Sequence, residues 1–111
     1  LPAVTTYLDY MASKDLTEKA STATAGWTVA EVVVAIIKQA QESPEGLTRA
    51  SIINAARNFN YQPSLARDGV VFKTNGESDG YPQESLQVLQ YHADSKTFSN
   101  VGELISKFEI I

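Results

Sequence analysis

The spacing of apolar residues predicts three helices in the first part of the chain. In each of them, apolar positions recur every three to four residues, which is the repeat of an amphipathic helix. Thr28 and Glu31 match a capping box at the start of the second helix, and Thr48 is the expected N-cap of the third. The Ala-, Ser- and Thr-rich stretch 17–26 lacks this repeat, so we expect a connector there. The helices are predicted over residues 4–15, 28–42 and 48–59.

The second part of the chain carries strand and turn signals. Runs of β-branched, aromatic and other apolar residues predict strands near residues 69–73 and 85–92. The polar, glycine-containing stretch 73–82 between them predicts a loop, and residues 93–96 predict a tight turn. The order of elements, helices followed by strands, indicates an α/β fold.

The tail after that turn carries a different spacing. Thr97 and Phe98 can form a short return strand, but the apolar residues that follow recur at helical intervals. We therefore predict a helix or an irregular covering segment for the tail. The residues at this spacing are Val101, Leu104, Ile105 and Phe108.

Two of the predicted elements are more apolar than a small domain can easily cover. The helix over 28–42 is apolar around most of its circumference, which is typical of a buried helix. The strand over 85–92 is apolar on both faces, as in sheets that carry helices on both sides. The chain also begins without an initiator Met and ends without capping residues. From these features we expect a piece of a longer protein.

Composition narrows the classes of function. The chain has 111 residues, of which 43% are apolar and 20% charged, so we treat residues 1–111 as one domain without an internal boundary. A net charge of −4 argues against binding to nucleic acid or to an anionic membrane surface. The absence of cysteine excludes thiol catalysis, disulfides and Cys-based metal sites, and a single histidine excludes a multi-His zinc site.

The residues that could carry catalysis or metal binding are better explained as surface positions. His92 lies at the end of a predicted strand, two positions before Asp94, and we interpret it as a solvated turn histidine. The stretch 75–80 resembles the start of a calcium loop, but Glu77 and Leu86 occupy the third and twelfth positions, where Asp or Asn and then Glu are needed. We therefore expect no enzymatic activity, metal or cofactor.

Trp27 is the candidate ligand-binding residue. It is the only tryptophan and follows Gly26, just before the predicted N-terminus of the second helix. Helix N-termini attract anions, and an aromatic ring beside one can form the wall of a ligand pocket. The alternative is that Trp27 is a core or hinge residue that fixes the start of the helix, and the sequence leaves both interpretations open.

The order and spacing of several short segments resemble a known family. Taken together, they are similar to the C-terminal third of extracytoplasmic solute-binding proteins of the branched-chain amino acid (Leu/Ile/Val) type, which serve ABC importers. The resemblance covers nearly the whole chain, although no single motif is diagnostic. The segments are Gly26-Trp27-Thr28-Val29-Ala30-Glu31, Lys38-Gln39-Ala40, residues 47–55, Gly69-Val70-Val71-Phe72, Tyr81-Pro82, residues 85–91, Thr97-Phe98 and Val101-Gly102.

The resemblance implies a fold, a function and a location. Such proteins have a type I periplasmic binding fold, in which two α/β lobes joined by three crossovers close over a small ligand. This chain would be a C-terminal fragment of such a two-lobe protein and would form a partial lobe. The intact protein would bind an amino acid or an aromatic or carboxylic acid. The partners would be that solute and the ABC importer permease. The location would be extracytoplasmic in a bacterium, in the periplasm or lipoprotein-anchored, after removal of a signal peptide. Trp27 matches a position near the cleft.

Two other functions stay open at this point. One is a stand-alone α/β module for protein interaction or self-association, in which an exposed apolar helix or strand edge pairs with a second copy. A fragment of a larger protein would also self-associate in this way. The other is a small hydrolase that uses His92, which would need a nucleophile beside the imidazole.

Overall fold

A computed structural model describes residues 1–83 and 85–106 as helices and two separate two-stranded antiparallel sheets. In the first sheet β1 (Asn60–Tyr61) pairs with β2 (Phe72–Lys73), and in the second β3 (Leu86–His92) pairs with β4 (Thr97–Ile105). The chain is therefore a small mixed domain of helices and strands, as the apolar pattern predicts. The helices are α1 (Pro2–Ser13), α2 (Ala20–Gln41) and α3 (Arg49–Arg57), and a 3₁₀ turn at Thr17–Lys19 precedes α2.

The predictions of α1 and α3 are confirmed, with small shifts at their ends. Thr48 is the N-cap of α3, as predicted. Its hydroxyl accepts a hydrogen bond from the Ser51 amide at 3.1 Å, and the Ser51 hydroxyl accepts one from the Thr48 amide at 2.8 Å. This reciprocal pair satisfies two amides that a helix start would otherwise leave without partners.

The predicted start of α2 is wrong. The helix begins at Ala20, within the stretch expected to be a connector, so Thr28 lies inside the helix and is not its cap. Ala20 is buried in a cluster with Tyr7 and Met11 of α1. Packing of small side chains against α1 thus extends the helix through a stretch whose sequence has little helical signal, because tertiary contacts outweigh intrinsic propensity.

Small side chains let α2 and α3 approach closely. Ala40 of α2 and Ala55 of α3 are 1% and 5% exposed, and the two helices pack along this side. The Gln39 side chain also donates a hydrogen bond to the Asn58 carbonyl, at 2.8 Å, just beyond the end of α3. The end of α3 is thereby held against the last turns of α2.

The first sheet is much shorter than the predicted strand. Of the residues 69–73, only Phe72 and Lys73 form a strand, and they pair with Tyr61 and Asn60. The buried Thr74 follows directly, and its hydroxyl donates to the Ala56 carbonyl at 2.9 Å. This short ladder ties the chain that follows α3 to the end of that helix.

The second sheet is a long hairpin, and it contradicts the prediction for the tail. The strand predicted over 85–92 is confirmed as β3, and the return strand expected at Thr97 and Phe98 is present as the start of β4. That strand continues to Ile105, where a helix or irregular cover was predicted. The register of the pairing shifts between Leu86 and Val88 of β3. Gly102, which lies opposite this point on β4, has a φ of +67°. An irregularity of this kind interrupts the two-residue alternation of a strand, so apolar residues on β4 acquire helical spacing. Phe108 lies outside the described residues.

Large apolar surfaces are uncovered in this structure. Val29, Val33 and Ile37 form one face of α2 and are 57%, 46% and 37% exposed, and Tyr91 and Phe98 of the hairpin are also exposed. The expected burial of α2 over most of its circumference is therefore wrong for this chain alone. The Cα radius of gyration is 16.8 Å, compared with about 13 Å for a compact domain of this length.

The longest helical stretch also has a composition that membranes accept. Thr17–Gln41 is long and apolar enough to cross a bilayer, with a mean hydropathy of 1.5. Core helices of soluble proteins and signal sequences share this length and composition. The stretch by itself therefore assigns no location to the protein.

Candidate functional site: a groove along α2

Trp27 lies within α2 and not at its N-terminus, so the argument that an anion would bind beside it at a helix start is wrong. The indole is half-buried and packs between two tyrosines of α1. Its ring centre lies 5.2 Å from that of Tyr7 in an edge-on arrangement and 5.5 Å from that of Tyr10. The aromatic contacts thus fix the position of the indole on the surface of α2.

The indole nitrogen of Trp27 has no hydrogen-bond partner among the described residues. Nε1 is buried, yet no acceptor lies within reach. A buried donor left unsatisfied costs about 1–3 kcal/mol. A carbonyl or carboxylate oxygen brought to Nε1 by a ligand or by another chain would remove this cost.

A groove of about 330 Å³ runs along α2 beside this indole. Its volume falls at the lower end of the range for small-molecule sites, about 300–1,000 Å³. One wall is a face of α2 and the other includes Tyr61 of β1. We call it the α2 groove, and it is lined by Trp27, Ala30, Glu31, Val34, Ala35, Lys38 and Tyr61.

Contacts distant in sequence hold the second wall in place. The Ser64 amide donates a hydrogen bond to Oε2 of Glu31 at 2.9 Å, which attaches the segment after β1 to the middle of α2. Pro63 beside it is fully buried, and Leu65 packs against the Tyr7 cluster. Because this segment is anchored at several points, the groove does not depend on one flexible side chain.

The groove has one anionic and one cationic end. Glu31 and Lys38 lie on the same face of α2, two helical turns apart, or about 10 Å along the axis. Lys38 forms no ion pair within residues 1–83 and 85–106, and Oε1 of Glu31 has no partner there. Val34 and Ala35 lie between these charges on α2, and Tyr61 adds mostly apolar surface to the groove.

The other candidates do not form sites in the described part of the chain. His92 is exposed on the hairpin, as predicted, and its Nε2 lies 2.7 Å from the Ser99 hydroxyl. No hydrogen bond or ion pair joins the imidazole to Asp94 within that part of the chain. The calcium-like stretch folds as a tight turn, and residues 1–83 and 85–106 contain no cluster of metal-ligating side chains.

Sequence reasoning identified Trp27 but missed the residues that share its groove. Glu31 is predicted only as part of a helix cap. One signal for Glu31 and Lys38 was present, since residues four and eleven positions after Trp27 lie on the same helical face. That signal depends on starting the helix ahead of Trp27.

No family model, curated protein or solved structure matches this chain.

Proposed function

We propose that this chain is part of the solute-binding component of an ABC importer and that the α2 groove contacts the solute. The observation that carries the proposal is the groove itself, about 330 Å³ beside the buried and unsatisfied Nε1 of Trp27. The resemblance described above supports the class of protein and its extracytoplasmic location. Transport of this kind needs selective binding and no chemical step.

The uncovered faces support the same proposal. The outer face of α2 presents Val29, Val33 and Ile37 over more than two helical turns. In a two-lobe periplasmic binding fold, helices pack on a sheet, which would cover such a face. The partial-lobe architecture is therefore part of the proposal, together with the ABC importer permease as the partner that receives the solute.

The fluorescence of Trp27 tests solute binding directly, because it is the only tryptophan. The purified chain is titrated with α- and ω-amino acids and with small carboxylic acids that do not absorb at the excitation wavelength. We expect a saturable change in emission with at least one of them, at a Kd of about 1 mM or tighter. Calorimetry with Trp27→Phe is the matched measurement, and we expect at least about fivefold weaker binding because the indole donor is lost. If no solute in the panel binds, the proposal is wrong.

Self-association is the second candidate function, and the apolar outer face of α2 favours it. Patches of this kind mark interaction sites in soluble proteins. If the face joins two copies, light scattering coupled to size-exclusion chromatography shows a dimer, and Val33→Glu converts it to a monomer with unchanged helix content. Lys19→Glu, on the exposed 3₁₀ turn, is the control. A monomer at all concentrations contradicts this candidate.

A further inference from the structure

The charges of the α2 groove indicate which solutes it accepts. We propose that the groove binds a solute that carries a carboxylate at one end, an ammonium group at the other end and an apolar body between them. This inference rests on the proposed function, because it names the class of solute for that same groove. It also differs from the amino acids that the resemblance implies, since those carry both charges on one carbon atom.

The cationic end determines where the carboxylate lies. Lys38 lines the groove and has no anionic partner among the described residues. The other end is occupied by the Glu31 carboxylate, which repels a second anion. A solute carboxylate therefore binds beside Lys38, where a charge-assisted hydrogen bond forms.

The anionic end determines where the ammonium group lies. Oε2 of Glu31 already accepts the Ser64 amide, so the carboxylate is held in one orientation. Oε1 remains available for a donor from the solute. An ammonium group placed there neutralises the half-buried Glu31 without disturbing the segment that closes the groove.

The separation of the two charges excludes solutes whose charges are adjacent. Glu31 and Lys38 are two turns apart on α2. Val34 and Ala35 lie between them, and Tyr61 adds mostly apolar surface to the groove. An α-amino acid with an uncharged side chain can satisfy only one of these ends. It would then place its second charge against apolar surface, where a charge loses its hydration without gaining a partner.

Three probes separate these cases, and none of them absorbs where tryptophan is excited. The probe trans-4-(aminomethyl)cyclohexanecarboxylate has both charges at opposite ends, cyclohexanecarboxylate lacks the ammonium group, and leucine has adjacent charges. We expect the first probe to bind at least about fivefold more tightly than either of the others, because only it can engage both ends. The readouts are Trp27 fluorescence and calorimetry on the 111-residue chain.

Two variants test which charged group of the solute binds at each end of the α2 groove. We expect Lys38→Met to weaken binding of both cyclohexane probes at least about fivefold. We expect Glu31→Gln, whose amide oxygen can still accept the Ser64 amide, to weaken only the probe with the ammonium group. Lys19→Met is the control away from the groove, and near-UV circular dichroism confirms that each variant is folded.

The outcomes distinguish the two proposals. If leucine or cyclohexanecarboxylate binds as tightly as the two-ended probe, or if Lys38→Met changes nothing, the inference is wrong and solute binding stands. If none of the three probes binds while another solute shifts the Trp27 emission, the inference is again wrong. If nothing binds in either experiment, both proposals are wrong.

Discussion

Replacement of Tyr7 by alanine is expected to lower the free energy of unfolding by about 3–5 kcal/mol, the usual cost of removing a buried aromatic side chain. Tyr7 is 3% exposed, and its ring packs edge-on against Trp27. Its hydroxyl donates to the Ala20 carbonyl in the first turn of α2. Tyr7 therefore joins α1 to α2 through both ring packing and a hydrogen bond.

Urea unfolding followed by far-UV circular dichroism measures this effect, and matched variants separate its parts. Tyr7→Phe keeps the ring and removes the hydrogen bond, so we expect a loss of about 1 kcal/mol. Leu8→Ala, at the next position on α1, removes a side chain that is 46% exposed and should cost less than Tyr7→Ala. Equal losses for Tyr7→Ala and Leu8→Ala would show that α1 does not pack on α2 in this way. Tyr7→Ala should also shift the Trp27 emission to longer wavelength, because water then reaches the indole.

Thr74→Val is expected to lower the free energy of unfolding by about 2–4 kcal/mol, although it preserves the shape of the side chain. The Thr74 hydroxyl donates to the Ala56 carbonyl at 2.9 Å and accepts from the Phe59 amide at 3.3 Å. The Ala56 carbonyl belongs to the last turn of α3, where no helical amide follows to bond it. Valine would leave both groups buried without partners, at about 1–3 kcal/mol each.

Thr74→Ser is the rescue variant, because serine restores the hydroxyl and loses only a methyl group. We expect its stability to lie much closer to the wild type than that of Thr74→Val in the same urea experiment. Thr5→Val, at an exposed position of α1, is the control for the change from threonine to valine. If Thr74→Ser is as unstable as Thr74→Val, packing and not hydrogen bonding holds the end of α3.

Local chemistry was enough to predict some elements. The turn at Ser43–Gly46 and the N-cap at Thr48 precede α3 directly, and both are found as expected. Gly46 has a φ of +66° in this turn. The predicted turn before β4 is also present, with Lys96 at a φ of +53°. These features involve residues close in sequence, so their signals are complete within a short window.

The start of α2 and the nature of the tail could not be predicted in this way. Ala20 is helical because it packs against α1. The spacing of Ser, Thr and Ala around it does not predict that contact. On β4, the irregularity at Gly102 produces apolar spacing that a single segment cannot distinguish from a helix. Only the pairing with β3 decides between the two.

In the candidate site, too, some features follow from the sequence and others only from tertiary contacts. The sequence by itself determined that Trp27 is the single indole, that Glu31 and Lys38 carry opposite charges and that the chain holds more apolar surface than it can cover. Tertiary structure alone decided that these residues line one groove. Tyr61 forms its second wall because β1 pairs with β2 and because the Ser64 amide bonds to Glu31. Contacts between distant residues arise from the packing of the whole chain, and no local spacing encodes them.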